Sequence, residues 1–119
     1  MNLPHREPLI FAKEILLRED DTVQVRCEFN MPPTLAMFVE AAAQSSAAFN
    51  SNGDNKAKIG FLTMANDVKL LGEIDTLHFL FLLKKEVEVG SYKKFSFEVY
   101  DNNIHLKIAN GKFTLLIQE

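Results

Sequence analysis

The chain has one cysteine, three histidines and no surplus of positive charge, and each shortage removes a class of function. A lone Cys27 cannot close an intramolecular disulfide, and no His or Cys stands near it at metal-ligand spacing, so it is expected to be a small buried core residue. Thirteen Lys and Arg against sixteen Asp and Glu give a formal charge of -3, without the basic excess that a phosphate-backbone binder needs. No nucleic-acid partner is expected. No apolar run approaches the roughly 20 residues that span a bilayer, so no membrane span is expected either; the block from Phe79 to Leu83 is strand-sized. Charges and Pro4 fill the segment from Met1 to Glu7, where an export signal needs an apolar stretch of about 7 to 15 residues, and a cytoplasmic location is the resulting expectation. There is no Gly-rich phosphate loop, nucleophile elbow or recognised metal motif, and no cofactor is expected.

Nothing divides the chain: it has no repeat, linker or low-complexity tract, and its 119 residues suit one domain spanning 1–119. With 47% hydrophobic and 24% charged residues it is an ordinary globular composition, not a disordered one. Strands are predicted from Leu9 to Arg18 and again at Val23, Val25, Cys27 and Phe29, which alternate with Gln24, Arg26 and Glu28; Glu19-Asp20-Asp21 turns between them. Met31 to Phe49 reads as a helix opened by Asn30 and Pro32-Pro33.

Between Thr34 and Phe49 only Thr34, Glu40, Gln44, Ser45 and Ser46 are polar, so this helix lacks a solvated face and is expected to be surrounded. A twisted antiparallel sheet curling around it is the available enclosure, which makes the fold α+β. The turn-rich patch from Asn50 to Asn55 leads into strands Ile59 to Leu70, Leu77 to Val89, Lys93 to Tyr100 and Ile104 to Ile117. Apolar parity flips within the last of these, so a bulge is expected at Gly111. Leu77, Phe79, Phe81 and Leu83 alternate with Leu80 and Leu82, so that strand is expected to be buried on both faces, with a second subunit as possible cover.

Glu40 is the candidate for chemistry. It lies in mid-helix between Phe38-Val39 and Ala41-Ala42-Ala43, with Gln44 one turn on and on the same face. Desolvation there would raise its pKa into the range of proton transfer, and Gln44 could hydrogen-bond and orient it. A buried glutamate satisfied by Gln44 or by backbone accounts for the same pattern without catalysis. Lys84-Lys85 and Lys93-Lys94, with Lys56 and Lys58, read as solvated edges or as a landing patch for an acidic carrier protein.

Leu3-Pro4-His5-Arg6-Glu7-Pro8-Leu9-Ile10 and Glu40-Ala41-Ala42-Ala43-Gln44 resemble the N-terminal and central-helix motifs of the hotdog-fold β-hydroxyacyl-acyl-carrier-protein dehydratases, within the thioesterase and thiol ester dehydratase-isomerase superfamily. Asn66-Asp67-Val68-Lys69 is similar to a polar, polar, Val or Ala, basic run in the following strand. The resemblance implies a hotdog dimer or higher homo-oligomer, with acyl tunnels at the interface, taking acyl thioesters of acyl carrier protein or coenzyme A. It implies Glu40 as the catalytic acid facing a partner histidine. The family's histidine segment is missing, because Val25 to Pro33 runs almost directly from strand into helix. Its glycine at the helix start falls against Pro33-Thr34-Leu35, so an oxyanion hole would have to use the amides of Thr34, Leu35 or Ala36. His5, within the N-terminal motif, is a weak substitute base; His78 and His105 read as ordinary strand residues. Met37 and Phe38, with Phe79 and Phe81, are candidates to line a tunnel or simply to fill the core. Two further readings stand beside dehydration: a thioesterase using Glu40 alone, and a non-catalytic acyl-binding subunit.

Overall fold

The structure, a computed structural model, describes residues 11–50, 59–103 and 105–118; the turn patch at 51–55, Lys56, Lys58 and Ile104 lie outside that range. Strands β1 (Ala12–Arg18) and β2 (Thr22–Glu28) precede helix α1 (Leu35–Ser45) and a short 3-10 turn (Ser46–Asn50). Four strands follow: β3 (Ile59–Leu70), β4 (His78–Val89), β5 (Tyr92–Asp101) and β6 (Lys107–Gln118). All pairings are antiparallel, in the order β1-β2-β4-β5-β6-β3, so β1 and β3 form the two edges. One helix held against this curved sheet is the hotdog fold. No helix among the described residues is long and apolar enough to cross a membrane.

The period-2 pattern places the core. Val23, Val25 and Cys27 on β2, Phe79, Phe81 and Leu83 on β4, and Phe95, Phe97 and Val99 on β5 all point at the helix and are buried. Phe38 meets them from α1, its ring edge-on to Phe29, Phe79 and Phe81 at centroid distances of 5.8, 5.1 and 5.9 Å. Ring contacts continue through Phe97 and Phe113 to Phe95 and Phe49, so helix and sheet share one aromatic core.

Several expectations are corrected in detail. The helix begins at Leu35, after the two prolines: Thr34 takes an extended conformation and its hydroxyl accepts the Met37 amide, which caps the first turn. Residue 32, preceding a proline, is disfavoured in the helical region, so Pro32-Pro33 leads into the cap and does not form the first turn. β6 runs continuously through Gly111, but its extra residue is Ile108, where the pairing steps from Val99–Ala109 to Tyr100–Lys107. Gly111 instead faces inward against Phe97, where a Cβ would stand 2.9 Å from the ring. β4 buries only its inner face fully; Leu80 and Leu82 on the outer face are half-buried, flanked by the longer side chains of Arg26, Gln24, Glu98 and Tyr100 on neighbouring strands.

Lysines sit as a solvated sheet predicts. Lys84 and Lys94 are on the outer face, whereas Lys85 reaches Glu88 at 3.5 Å and lies over the Phe49 ring. Arg26 bridges Glu14 and Glu28 across the outer face of β1 and β2, and that guanidinium holds the Glu28 carboxyl below its ordinary range.

Candidate functional site

Among the described residues the sheet wraps α1 and leaves one side of it less covered. Ala36 is exposed, and Met37, Glu40, Ala43 and Ala47 are half-buried; they recur at spacings of three and four and so form one stripe along the helix. Phe38, Val39, Ala41 and Ala42 take the remaining directions and are buried. The helix is wrapped by the sheet as expected, and the stripe that stays partly exposed among the described residues is Ala36, Met37, Ala43 and Ala47 around one carboxylate.

Glu40 occupies the middle of that stripe, half-buried by its own chain. One turn earlier on the same side is Ala36, whose amide, with that of Leu35, lies at the helix N-terminus and has no intrahelical acceptor. The Met37 amide is taken by the Thr34 hydroxyl at 3.2 Å and the Phe38 amide by the Thr34 carbonyl at 3.0 Å. Of the helix-start groups proposed to polarise a carbonyl, Leu35 and Ala36 therefore retain donors, while Thr34 serves as the cap. Met37 closes the cap from the other side, its sulfur 3.5 Å from the Thr34 amide.

Gln44 does different work from that expected. It is 4% exposed, and its carbonyl oxygen accepts the Phe11 amide at 2.7 Å and the Ala12 amide at 3.4 Å. Both partners are N–H donors, so the orientation of the side-chain amide is unambiguous. Two backbone donors entering β1 need a buried acceptor, and Gln44 supplies it. Its carbonyl thus fastens the first strand to the helix and is not turned to Glu40.

Phe38, Phe79 and Phe81 have no exposed surface and belong to the core. His78 lies on the outer face of the sheet, its Nδ1 3.4 Å from Glu28, on the side away from the helix. His105 is exposed in the β5–β6 connection, with a left-handed φ of 57°. Neither is brought to Glu40. His5 and the motif around it lie outside the described residues. Cys27 is fully buried beside Ser45, and burial pushes its thiol up to about 12, which suits the inert core residue expected.

One feature escaped the sequence reading. A cavity of about 240 Å³ opens between β1 and the C-terminal end of the helix, lined by Ala12, Ile15, Val25, Gln44, Ser45 and Ala48, with Lys13 and Glu14 at its rim. Its signal in the sequence is the pair of small residues Ser45 and Ala48, which line it together with Val25.

No family model matches the chain, and no curated protein matches it in sequence. Its fold nevertheless recurs among solved structures. A mutant of a thioesterase from Staphylococcus aureus superposes with a TM-score of 0.70 at 10% identity, over 89% of this chain and 93% of that one. The dehydratase heterocomplex ApeI:P from Xenorhabdus doucetiae gives 0.67 at 11% identity, over 98% and 88%. A hypothetical thioesterase with coenzyme A from Streptococcus pneumoniae gives 0.64 at 13% identity, over 88% and 84%. At these identities the likeness is one of architecture: this chain shares the hotdog fold with proteins described as thioesterases and as a dehydratase complex.

Proposed function

We propose that this chain is an acyl-thioester-binding hotdog protein of the dehydratase-like group, with Glu40 as its working carboxylate. The observation that carries the reading is the position of Glu40: a single carboxylate on the open side of an apolar helix, one turn from the donor amides of Leu35 and Ala36 and one turn from an apolar cavity. Those three elements match the three parts of an acyl thioester, in which a carbonyl oxygen needs donors, a reacting carbon needs a proton carrier, and an aliphatic tail needs a dry wall. The fold shared with thioesterases and with a dehydratase heterocomplex supports the same substrate class, carried by coenzyme A or by an acyl carrier protein.

In dehydration a base removes the proton from the carbon next to the carbonyl while Glu40, protonated, delivers its proton to the 3-hydroxyl. The C–O bond breaks, water leaves, and an enoyl thioester remains. The amides at the helix start stabilise the enolate-like oxygen in between. The base comes from outside the described residues, either from His5 or from a second subunit. β3 offers that subunit a place, because among the described residues one edge of this 12-residue strand has no strand paired to it, and Leu62 and Met64 on it are exposed. A homodimer closing the open side is the simplest assembly. A non-catalytic subunit beside a different, histidine-bearing chain is the alternative.

A hydrolytic reading is favoured by one observation, that neither described histidine approaches the helix. Glu40 alone would then take a proton from water as it adds to the carbonyl, and the C–S bond would break with the proton passed to the thiolate. One experiment separates the readings: wild type and Glu40→Gln are assayed against 3-hydroxyacyl thioesters, with enoyl product and free thiol followed together. Glu40-dependent enoyl formation supports dehydration, and Glu40-dependent thiol release supports hydrolysis. Turnover that survives Glu40→Gln unchanged refutes Glu40 as the working group.

A further inference from the structure

We infer that the far end of the β4–β5 hairpin docks on a bilayer surface that carries anionic phospholipids, with Val87, Val89 and Tyr92 entering the interface and Lys84, Lys94 and Lys112 meeting the phosphates behind them. The inference is independent of the acyl-thioester reading, because these residues lie on the face of the sheet turned away from the helix.

Strand register builds the surface. Phe95, Phe97, Phe113 and Leu115 point inward and are buried, so Tyr92, Lys94 and Ser96 on β5 and Lys112, Thr114 and Leu116 on β6 point outward. On β4 the inward residues are the odd ones, Phe79, Phe81 and Leu83, up to a bulge where the pairing steps from Lys85–Phe95 to Val87–Lys94. The extra residue, Glu86, reverses the parity, and Val87 and Val89 are thereby turned to the outer face. Three rows result, about 7 Å apart. Val89, Tyr92 and Leu116 lead; Val87, Lys94 and Thr114 follow; Lys84, Ser96 and Lys112 form the third.

The leading row projects from the molecule. Residues 86–92 are all exposed, Val87 at 49%, Val89 at 65% and Tyr92 at 54%, and a Cβ on Gly90, whose φ is 58°, would meet nothing within 4 Å. Charge gives the tip its direction. Residues 84–94 with Lys112 hold five lysines and two glutamates in a chain of net charge -3, so this end is positive against an acidic remainder. Glu86 accepts the Ser96 hydroxyl at 2.7 Å, and Glu88 reaches Lys85 at 3.5 Å on the inner face. Lys84, Lys94 and Lys112 share the face of the valines.

This order, apolar tip first and lysines one and two rows behind, matches the layers of a lipid interface. Valine side chains and the tyrosine ring suit the acyl boundary, and lysines on long stems keep their charges among the phosphates. An acidic protein would use the same lysines and has no need of a projecting apolar tip.

The test is co-sedimentation of the full-length chain with vesicles of phosphatidylcholine alone and of phosphatidylcholine mixed equally with phosphatidylglycerol, at low and high salt. Binding is expected on the mixed vesicles at low salt, about fivefold weaker in each of Lys94→Gln and Lys112→Gln and about tenfold weaker in Val89→Ser. Val89 and Lys112 are exposed, so these changes leave the core untouched. The chain has no tryptophan, so Tyr92→Trp supplies a single fluorophore, and its emission should shift to the blue on the mixed vesicles. Absence of binding, equal binding to both kinds of vesicle, or binding that either the lysine variants or Val89→Ser leave unchanged overturns the inference. Retention on immobilised polyglutamate, or self-association lost in Val89→Ser, in a protein that ignores vesicles assigns the surface to an acidic protein or to a second copy and overturns it as well. None of these results bears on Glu40.

Discussion

Replacing Gln44 by leucine tests whether this residue is the clamp that the hydrogen bonds describe. Leucine keeps an apolar body of similar reach and removes the carbonyl. The Phe11 amide then loses an acceptor at 2.7 Å in a position where Phe11 itself is 4% exposed, and the Ala12 amide loses a weaker one at 3.4 Å. A buried donor left without a partner costs about 1–3 kcal/mol, and the added apolar burial of leucine offsets part of it. The net expectation is a loss of about 1–2 kcal/mol, read as a fall in the urea midpoint at unchanged m-value and a drop in Tm of about 3–10 °C. The loss should be local as well as global. β1 is held to the helix layer chiefly at its ends, so amide exchange at Phe11 and Ala12 should accelerate more than exchange at Phe81 or Phe97 in the centre of the sheet. Stability within about 0.5 kcal/mol of wild type, with both amides exchanging as before, would refute the clamp.

Gly111→Ala should destabilise the fold by about 1–3 kcal/mol, since its Cβ would meet the Phe97 ring at 2.9 Å and Val68 at 3.0 Å, and Phe97, 1% exposed against Phe81 and Phe113, has no room to yield; thermal unfolding at or above the wild-type midpoint would contradict that packing. Cys27 should resist maleimide in the native state and react only on unfolding. Because burial raises its pKa from 9.0 to about 12, the folded chain holds the thiol proton more tightly than the unfolded one, so the stability this contributes is complete below pH 9 and is lost as pH rises from there toward 12. Cys27→Ser should remove that alkaline decline, and a decline of the same size in the variant would assign it to other groups.

The fold was readable in the sequence wherever one face of an element is buried and the other is not. Val23, Val25 and Cys27 alternate because β2 has the helix on one side and solvent on the other, and Ile59–Leu70 is bounded as predicted because turn residues flank it. Irregularities were less readable. Apolar parity showed that β6 contains one extra residue and could not say which, because Ile108 and Ala109 are both apolar and both buried. The glycine three positions on drew the bulge to itself for conformational reasons, whereas its actual role is to let the Phe97 ring approach.

The site was half readable for a related reason. An apolar helix announces that it is covered, but periodicity within one chain cannot tell a wall of its own sheet from a wall brought by another subunit. Around α1 the directions facing the sheet carry Phe38 and Val39 with Ala41 and Ala42, while the less covered stripe carries Ala36, Met37, Ala43 and Ala47 beside Glu40. The small residues Ser45 and Ala48 line the cavity one turn further on. A polar residue in an apolar helix thus has two readings that only its neighbours separate. The Gln44 carbonyl takes two backbone donors within 3.4 Å and serves the fold, whereas Glu40 lies half-buried on the stripe that carries Ala36, Ala43 and Ala47.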